Sequence, residues 1–544
     1  MDIAQAVAFG NLLKRLNILV IDDFQGMRTM LRGIVREMGG VKVDTASNGR
    51  EAISQLRLLR YDIVICDYNL GDGPNGQHVL EEAKLNDLLS PAAVWIMVTA
   101  EKTSDMVMGT AEVRPDDYIL KPVNHEMLES RLEKLIMRKQ AMAAVEREIK
   151  ARKYLNALDE CDALLAKAPQ NATEVLRIKT DVLMLLGRYD EARPIFESVQ
   201  SQRSVAWAKT GLGKVCFQQQ QLDEAERLFR EVLEENRIYM EAYDWLVKTL
   251  QARGDLENAQ KVLQTAVQLS PHSAIRQQTL GEVAHRNGDL AQAQSAFEKT
   301  LRISEHSPYK SAASYAGLAK VLVDAQEGDQ ALKVLERGKK DFQGNATATL
   351  ETTLAEGRIL QTMGQADMAQ ACIRQACAIG QTLGGALEPR LTLEMAEGLF
   401  SVGDKDAATG MLRDLVRNNH DSQALTDRVQ QLFEQAAMGD EGSAIIHAAR
   451  QQVIQINNQG VALGREGKID EAVTLLREAL HEMPHSETIM MNLCGLLIVE
   501  LKKAGPSSPL VTEIRALLDR VHAINPANRR HQEYTAVLKA LAGR

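Results

Sequence analysis

The sequence has no CxxC pair; its six cysteines stand at positions 66, 161, 216, 372, 377 and 494. They read as reduced, cytosolic thiols serving as small core hydrophobes, and the five-residue step from Cys372 to Cys377 suits a helix core better than a metal site. It also lacks a basic excess. With 64 basic against 73 acidic residues and a net charge of −9, it is not expected to bind nucleic acid, whose partners usually show a basic stripe. Arg529-Arg530-His531 is only a short surface run. No uncharged apolar run approaches the roughly 18 residues of a membrane span. Met1 to Leu16 carries Asp2 and lacks a basic start, so it is not read as a signal peptide. Walker, HExxH and GxSxG signatures are missing, and the 11 histidines are dispersed. The expectation is a cytoplasmic protein with no separate enzyme domain.

Core-forming material is ample, at 45% of 544 residues. The first quarter is organised around Tyr61–Gly71, where Ile63-Val64-Ile65 is an apolar, β-branched run too short for a helix. It marks a strand buried on both faces, and it ends on Asp67. Asn17–Ile21 is a similar run ending on Asp22-Asp23. Val41–Ala46, with Val41 and Val43 on one face, Ala93–Thr99 and Asp117–Pro122 supply three more strands. Helices are expected at about 26–38, 49–59, 76–86 and 103–112, and Asn124 caps a fifth. Five βα units imply an α/β doubly wound, five-stranded parallel sheet with helices on both faces.

In such a sheet Asp22, Asp23, Asp67, Thr99 and Lys121 all fall at one edge, where open α/β sheets collect ligands. Three carboxylates in one crevice repel one another unless a cation joins them. An all-oxygen donor set suits Mg²⁺ before Ca²⁺ or Zn²⁺. Lysine and threonine beside it supply donors for a phosphoryl group.

This set resembles the receiver domain of two-component response regulators, a flavodoxin-like fold, over residues 16–137. The resemblance implies that Asp67 takes phosphoryl from a histidine kinase or histidine phosphotransfer protein. It further implies that Asp23, Asp67 and the Asn69 backbone carbonyl ligate Mg²⁺ directly, with Asp22 acting through water. Thr99 and Lys121 would bind phosphoryl oxygens, Tyr118 would follow the switch, and Asn69 with Glu101 would tune dephosphorylation towards the fast side. The loop Gly71-Asp72-Gly73-Pro74-Asn75-Gly76 departs from the family pattern by about one extra residue. Asp72 is read as a solvated turn residue or an extra metal-proximal acid. Arg28, Arg32 and Arg36 form a basic stripe, read as a solvated face or a kinase-docking surface.

From Asn124 an apolar pattern through Leu128, Leu132, Leu135, Ile136, Met142, Val145 and Ile149 predicts a linking helix over 138–153, either continuous with the receiver's last helix or broken near Gln140. Its stripe could also seed a homodimer seam. Beyond it the chain repeats itself. Gly187-Arg188-Tyr189-Asp190-Glu191-Ala192 recurs at Gly254–Ala259, Gly288–Ala293 and Gly467–Ala472, with looser copies ending at Ala225, Ala331, Ala369 and Ala408. Four residues after each alanine stands a large apolar residue; twelve before it a glycine recurs at 213, 281, 357 and 460. Small residues let helices approach, large ones fill the gap, and the glycine pair turns the chain. Over residues 141–544 the pattern resembles tetratricopeptide repeats, an all-α solenoid of about eight or nine units with C-terminal capping helices, including an opener around Ala157. The 64-residue step from Ala408 to Ala472 is expected to hide one irregular helical pair near 421–450.

The expected function is a phosphorylation-controlled adaptor, with the receiver modulating how the repeat groove binds an unidentified protein or peptide. The alternative is a scaffold that keeps the receiver fold without being phosphorylated. The receiver is expected to cover the opening repeats through the face made by 103–112, the last strand and the helix after it.

Overall fold

The short β-branched runs become the centre of a sheet buried on both sides. The computed structural model describes residues 9–90, 92–100, 113, 115–167, 171–202, 204–384, 387–505, 508–525 and 528–542. The expected helix at 103–112 and Glu101 lie outside these residues. The elements begin β1 (Asn17–Ile21), α1 (Gln25–Glu37), β2 (Lys42–Ala46), α2 (Gly49–Leu58), β3 (Ile63–Asp67), α3 (Gly76–Leu85), β4 (Val94–Thr99), β5 (Asp117–Leu120) and α4 (His125–Lys150). All strand pairs are parallel, in the order β2-β1-β3-β4-β5.

Residues alternate between two cores, as a period of two requires. Ile18, Val20, Ile63, Ile65, Ile96 and Val98 pack with Leu31 and Val35 of α1 and Leu128 and Leu132 of α4. Leu19, Ile21, Val64, Cys66, Trp95 and Met97 pack instead with Ala52 and Leu56 of α2 and Val79 and Leu80 of α3. The expected β2 differs at its start: Val41 precedes the strand and is 65% exposed, while Val43 packs on the first core. β5 stops at Leu120, leaving Lys121 immediately beyond its end.

α4 is one unbroken helix, without the break considered near Gln140. Its first half closes the receiver core, and its second half puts Met142 and Val145 against Ala157 and Cys161 of α5 (Tyr154–Leu165) and Val175. The apolar stripe is thereby covered by the chain itself.

The repeat offsets have their expected physical cause. Each periodic alanine from 157 to 472 is fully buried. A Cβ added at Gly213, Gly281, Gly357 or Gly460 would come within 2.5–2.8 Å of Phe229, Phe297, Ile373 or Leu476, the large residue four after the matching alanine. The long step resolves into helices Gln423–Gln435 and Gly439–Arg465. The second, 27 residues long, completes the irregular pair and continues as the first helix of the next repeat. Gly442 stands there in place of the alanine, with buried Ile446 four residues on.

Contacts divide the chain into two compact units, Met1–Met184 with Arg188–Ser314, and Leu185–Gly187 with Tyr315–Arg544. In the first unit the second half of α4 is tied back to the receiver, and a repeat connection meets it as well. Lys150 binds Asp87 at 2.7 Å and Lys139 binds Asp116 at 3.1 Å. α3 meets residues 303–309, a contact through a different receiver face from the one expected. In the second unit Met490, Leu493, Leu497, Ile514 and Leu518 form the core of the closing helices.

Candidate metal and phosphoryl site at the strand ends

Register alone brings the acids together. β1 pairs with β3 so that Ile21 stands opposite Cys66, which makes Asp22 the neighbour of Asp67. These two strands flank the point where strand order reverses, the place where such sheets open a crevice. Asp67 pairs with Val98, and Thr99 with Leu120, so Thr99 and Lys121 follow at the same edge. Backbone bonds from Tyr68 N–H to Val98 O (3.0 Å) and from Lys121 N–H to Thr99 O (2.8 Å) carry the sheet past its last paired residues.

Carboxylate oxygens of Asp22, Asp23 and Asp67 lie within 4.8 Å of one another. Asp22 and Asp67 are buried and Asp23 is exposed. Lys121 Nζ donates to Asp67 Oδ2 at 2.7 Å and to Asp22 Oδ2 at 2.9 Å. Burial pushes the Asp67 carboxyl up, more than the bond from Lys121 pulls it down, and the Asp22 charge adds to the rise. Burial works against the Lys121 ammonium, but its bonds to Asp67 and Asp22 outweigh it and hold the proton more tightly. One ammonium against three carboxylates leaves 1 − 3 = −2, which a divalent cation balances. Opposite ligands of an octahedral Mg²⁺ ion are about 4.2 Å apart, so three oxygens spanning 4.8 Å need little movement to close on one. The donor set fits the ion.

The remaining candidates separate. Thr99 is buried at the end of β4, and Asn69 is exposed two residues after Asp67. Asp72 is exposed and outside the acidic cluster, the solvated reading. Tyr118 is half-buried against the core shared by α2 and α3. Arg28, read as part of a surface stripe, donates to the carbonyl oxygens of Asp22 (2.7 Å) and Asp23 (3.0 Å), fixing the start of α1 beneath the acids. The extra-length loop is packed closely at two glycines, Gly49 at the start of α2 and Gly76 at the loop's own end. A Cβ at Gly49 would stand 2.0 Å from Pro74 O, and one at Gly76 would stand 2.1 Å from Asp67 O. Sequence reasoning missed Arg28, Gly49 and Gly76 as parts of the site; only the glycine spacing in the loop carried any signal.

Comparison with known proteins finds matches for both parts of the chain. Residues 18–133 match the model of the response regulator receiver domain. Residues 183–244 and 284–354 match one tetratricopeptide repeat model, and 246–308 match another. The chain is 28% identical over 123 residues to the chemotaxis protein CheY of Pseudomonas aeruginosa, covering 23% of this chain and 98% of that protein. It is 29% identical over 125 residues to CheY-3 of Vibrio cholerae, covering 23% of this chain and 95% of that one. Among solved structures, TrrA of Thermotoga maritima in complex with Mg²⁺-BeF shares 30% identity, covering 22% of this chain and 98% of that one at a TM-score of 0.20. CheY4 of Vibrio cholerae shares 24%, covering 22% and 98%, at 0.21. With β1–β5 wound in the receiver order and the repeat glycines seated under their large partners, the chain is a response regulator receiver domain followed by an array of tetratricopeptide repeats.

Proposed function

We propose that the protein is a phosphorylation-controlled signalling adaptor in which Asp67 accepts a phosphoryl group and thereby modulates protein binding by the repeats. The observation that carries this reading is the shared Lys121 ammonium between Asp67 and Asp22, inside a triad of carboxylates. An Asp67 oxygen attacks the phosphorus of a phosphohistidine on a histidine kinase or histidine phosphotransfer protein. The P–N bond breaks, its electron pair stays on the imidazole nitrogen, and an acyl phosphate forms on Asp67. Asp23, Asp67 and the Asn69 carbonyl would hold Mg²⁺, with Asp22 assisting through water. When bound, the cation neutralises charge building on the phosphoryl oxygens. Lys121 leaves its carboxylate partner for a phosphoryl oxygen, Thr99 donates to another, and Tyr118 follows Thr99. Asn69 and Glu101 would orient the water that ends the signal.

On the output side, the second unit has a cleft of about 940 Å³ lined by Arg374, Gln381, Thr392, Asp404, Met411 and Asn418, roomy enough for a peptide segment. Among the described residues no helix is long and apolar enough to cross a membrane.

The test is the full chain with acetyl phosphate and Mg²⁺. A base-labile adduct should form and map to Asp67, and it should vanish in Asp67→Asn or on chelation. A folded wild-type chain that takes no phosphoryl under these conditions would sink the proposal.

A further inference from the structure

Helix α3 begins on the candidate acceptor. The Gly76 N–H donates to Tyr68 O at 2.8 Å, and the Gly76 backbone packs directly on the Asp67 carbonyl. Asn75 caps the helix, accepting from His78 N–H at 3.0 Å, while the Asn75 N–H donates to His78 Nδ1 at 3.3 Å. That tie orients the His78 ring one turn from Asp67.

The same ring reaches the repeats. It lies beside the backbone of Ile303 and meets the ring of His306 edge-on, with centroids 6.4 Å apart. One turn further along α3, Glu81 is buried at 7% exposure. It accepts from Ser307 Oγ at 2.5 Å and from Gln77 Nε2 at 3.0 Å. Ser307 in turn accepts from the Tyr309 N–H at 3.1 Å, and the Tyr309 ring packs against the receiver core that α3 covers. The segment from Ile303 to Tyr309 joins two repeat helices, Leu290–Ile303 and Ala312–Asp324. A repeat connection 226 residues along the chain from Glu81 is therefore seated on the helix that starts at the acceptor.

We propose that this seat is a clasp between receiver and repeats that opens when Asp67 carries phosphoryl, an inference that rests on the acceptor reading of Asp67. The clasp is polar, short and directional, made of one buried carboxyl, one hydroxyl and a histidine edge. Hydrogen bonds of this kind weaken steeply when their partners shift or tilt. The acceptor and the clasp share one rigid helix, and the junction at Gly76 has no slack. Re-seating the backbone of 67–76 around a phosphoryl group therefore moves His78 and Glu81 off Ile303 and Ser307. Opening frees the 303–309 connection, and with it the repeats on either side, to meet a partner.

Hydrogen exchange of the full chain, with and without Mg²⁺ and beryllofluoride as the phosphoryl mimic, tests this. Exchange should slow in 68–76 and quicken about tenfold or more in 303–309. The double variant Ser307→Ala/Tyr309→Ala, or the milder Glu81→Gln, should open 303–309 without the mimic. By reciprocity it should tighten beryllofluoride binding, by a factor on the order of 5–150. Protection of 68–76 with 303–309 unchanged overturns the clasp and leaves the acceptor reading standing. An opened variant with unchanged mimic affinity also overturns it. No protection at 68–76 overturns the acceptor reading and the clasp with it.

Discussion

At Gly76 a methyl group would stand 2.1 Å from the carbonyl oxygen of Asp67, a backbone atom that cannot rotate away. Gly76→Ala should cost at least about 1–3 kcal/mol in urea unfolding, the range for overpacking, and should slow labelling by acetyl phosphate. Gly213→Ala meets the Phe229 ring instead, which can give, so its cost should be smaller. His78 makes a pH prediction. Burial brings its pKa down from 6.5 to about 4, with the Ile303 backbone opposing and the neighbouring His306 adding to the fall. A depressed histidine contributes stability above its unfolded value and loses it as pH falls towards the folded one. Against His78→Gln, the wild type should lose about 1–3 kcal/mol between pH 6.5 and about 4. The comparison is needed because Glu81, whose pKa burial raises, works the opposite way in that window. A constant difference between the two proteins across the window would refute the assignment. Thr99→Ala should still accept phosphoryl at Asp67 while losing most of its effect on 303–309 exchange.

Among elements, the repeat turns show how one backbone geometry is met by different residues. Five residues before each buried alanine the chain takes a left-handed φ, as at Gly254 (78°), Gly288 (77°) and Gly467 (82°). Two of the looser copies keep the geometry with Gln220 (62°) and Gln326 (65°), the opener does so with Arg152 (54°), and Ala437 (56°) does so before Gly442. A side chain there costs on the order of 1 kcal/mol, partly offset by the greater freedom glycine has when unfolded. Gln326→Gly should therefore stabilise by roughly 0.5 kcal/mol or more, and Gly288→Ala should destabilise by about 1 kcal/mol, both read from denaturant midpoints. α4 works on a larger scale. Because one helix supplies Leu128 and Leu132 to the receiver and Met142 and Val145 to the first repeat, a kink in its middle uncouples two cores without emptying either.

For the whole molecule, the acidic triad makes stability depend on cations. Mg²⁺ with beryllofluoride should raise the calorimetric transition that contains the receiver. At about 100 times the dissociation constant the gain is about 2.7 kcal/mol, or several degrees, and chelation should reverse it. Asp23→Asn should blunt the shift. A receiver transition unmoved by either ligand would show that the three carboxylates hold no cation.

The strand runs, the acids and lysine at their ends, and the alanine–glycine period of the repeats were all legible in the sequence. Each is local or periodic: a buried strand needs only its own apolar residues, and a repeat shows itself by recurring. The hidden pair was legible only as a gap, because Gly442 and Ala437 exchange the residue types that mark the other units. What the tertiary structure alone decided depends on long-range register and close approach. Lys121 binds both Asp22 and Asp67 because β1, β3 and β5 all end at the same edge of the sheet. Arg28 turns inward to two carbonyls. Most of all, Glu81 finds Ser307 across 226 residues, a contact between two unremarkable polar side chains that no local pattern announces. It depends on how the repeats between α4 and residue 303 stack, which no single segment encodes.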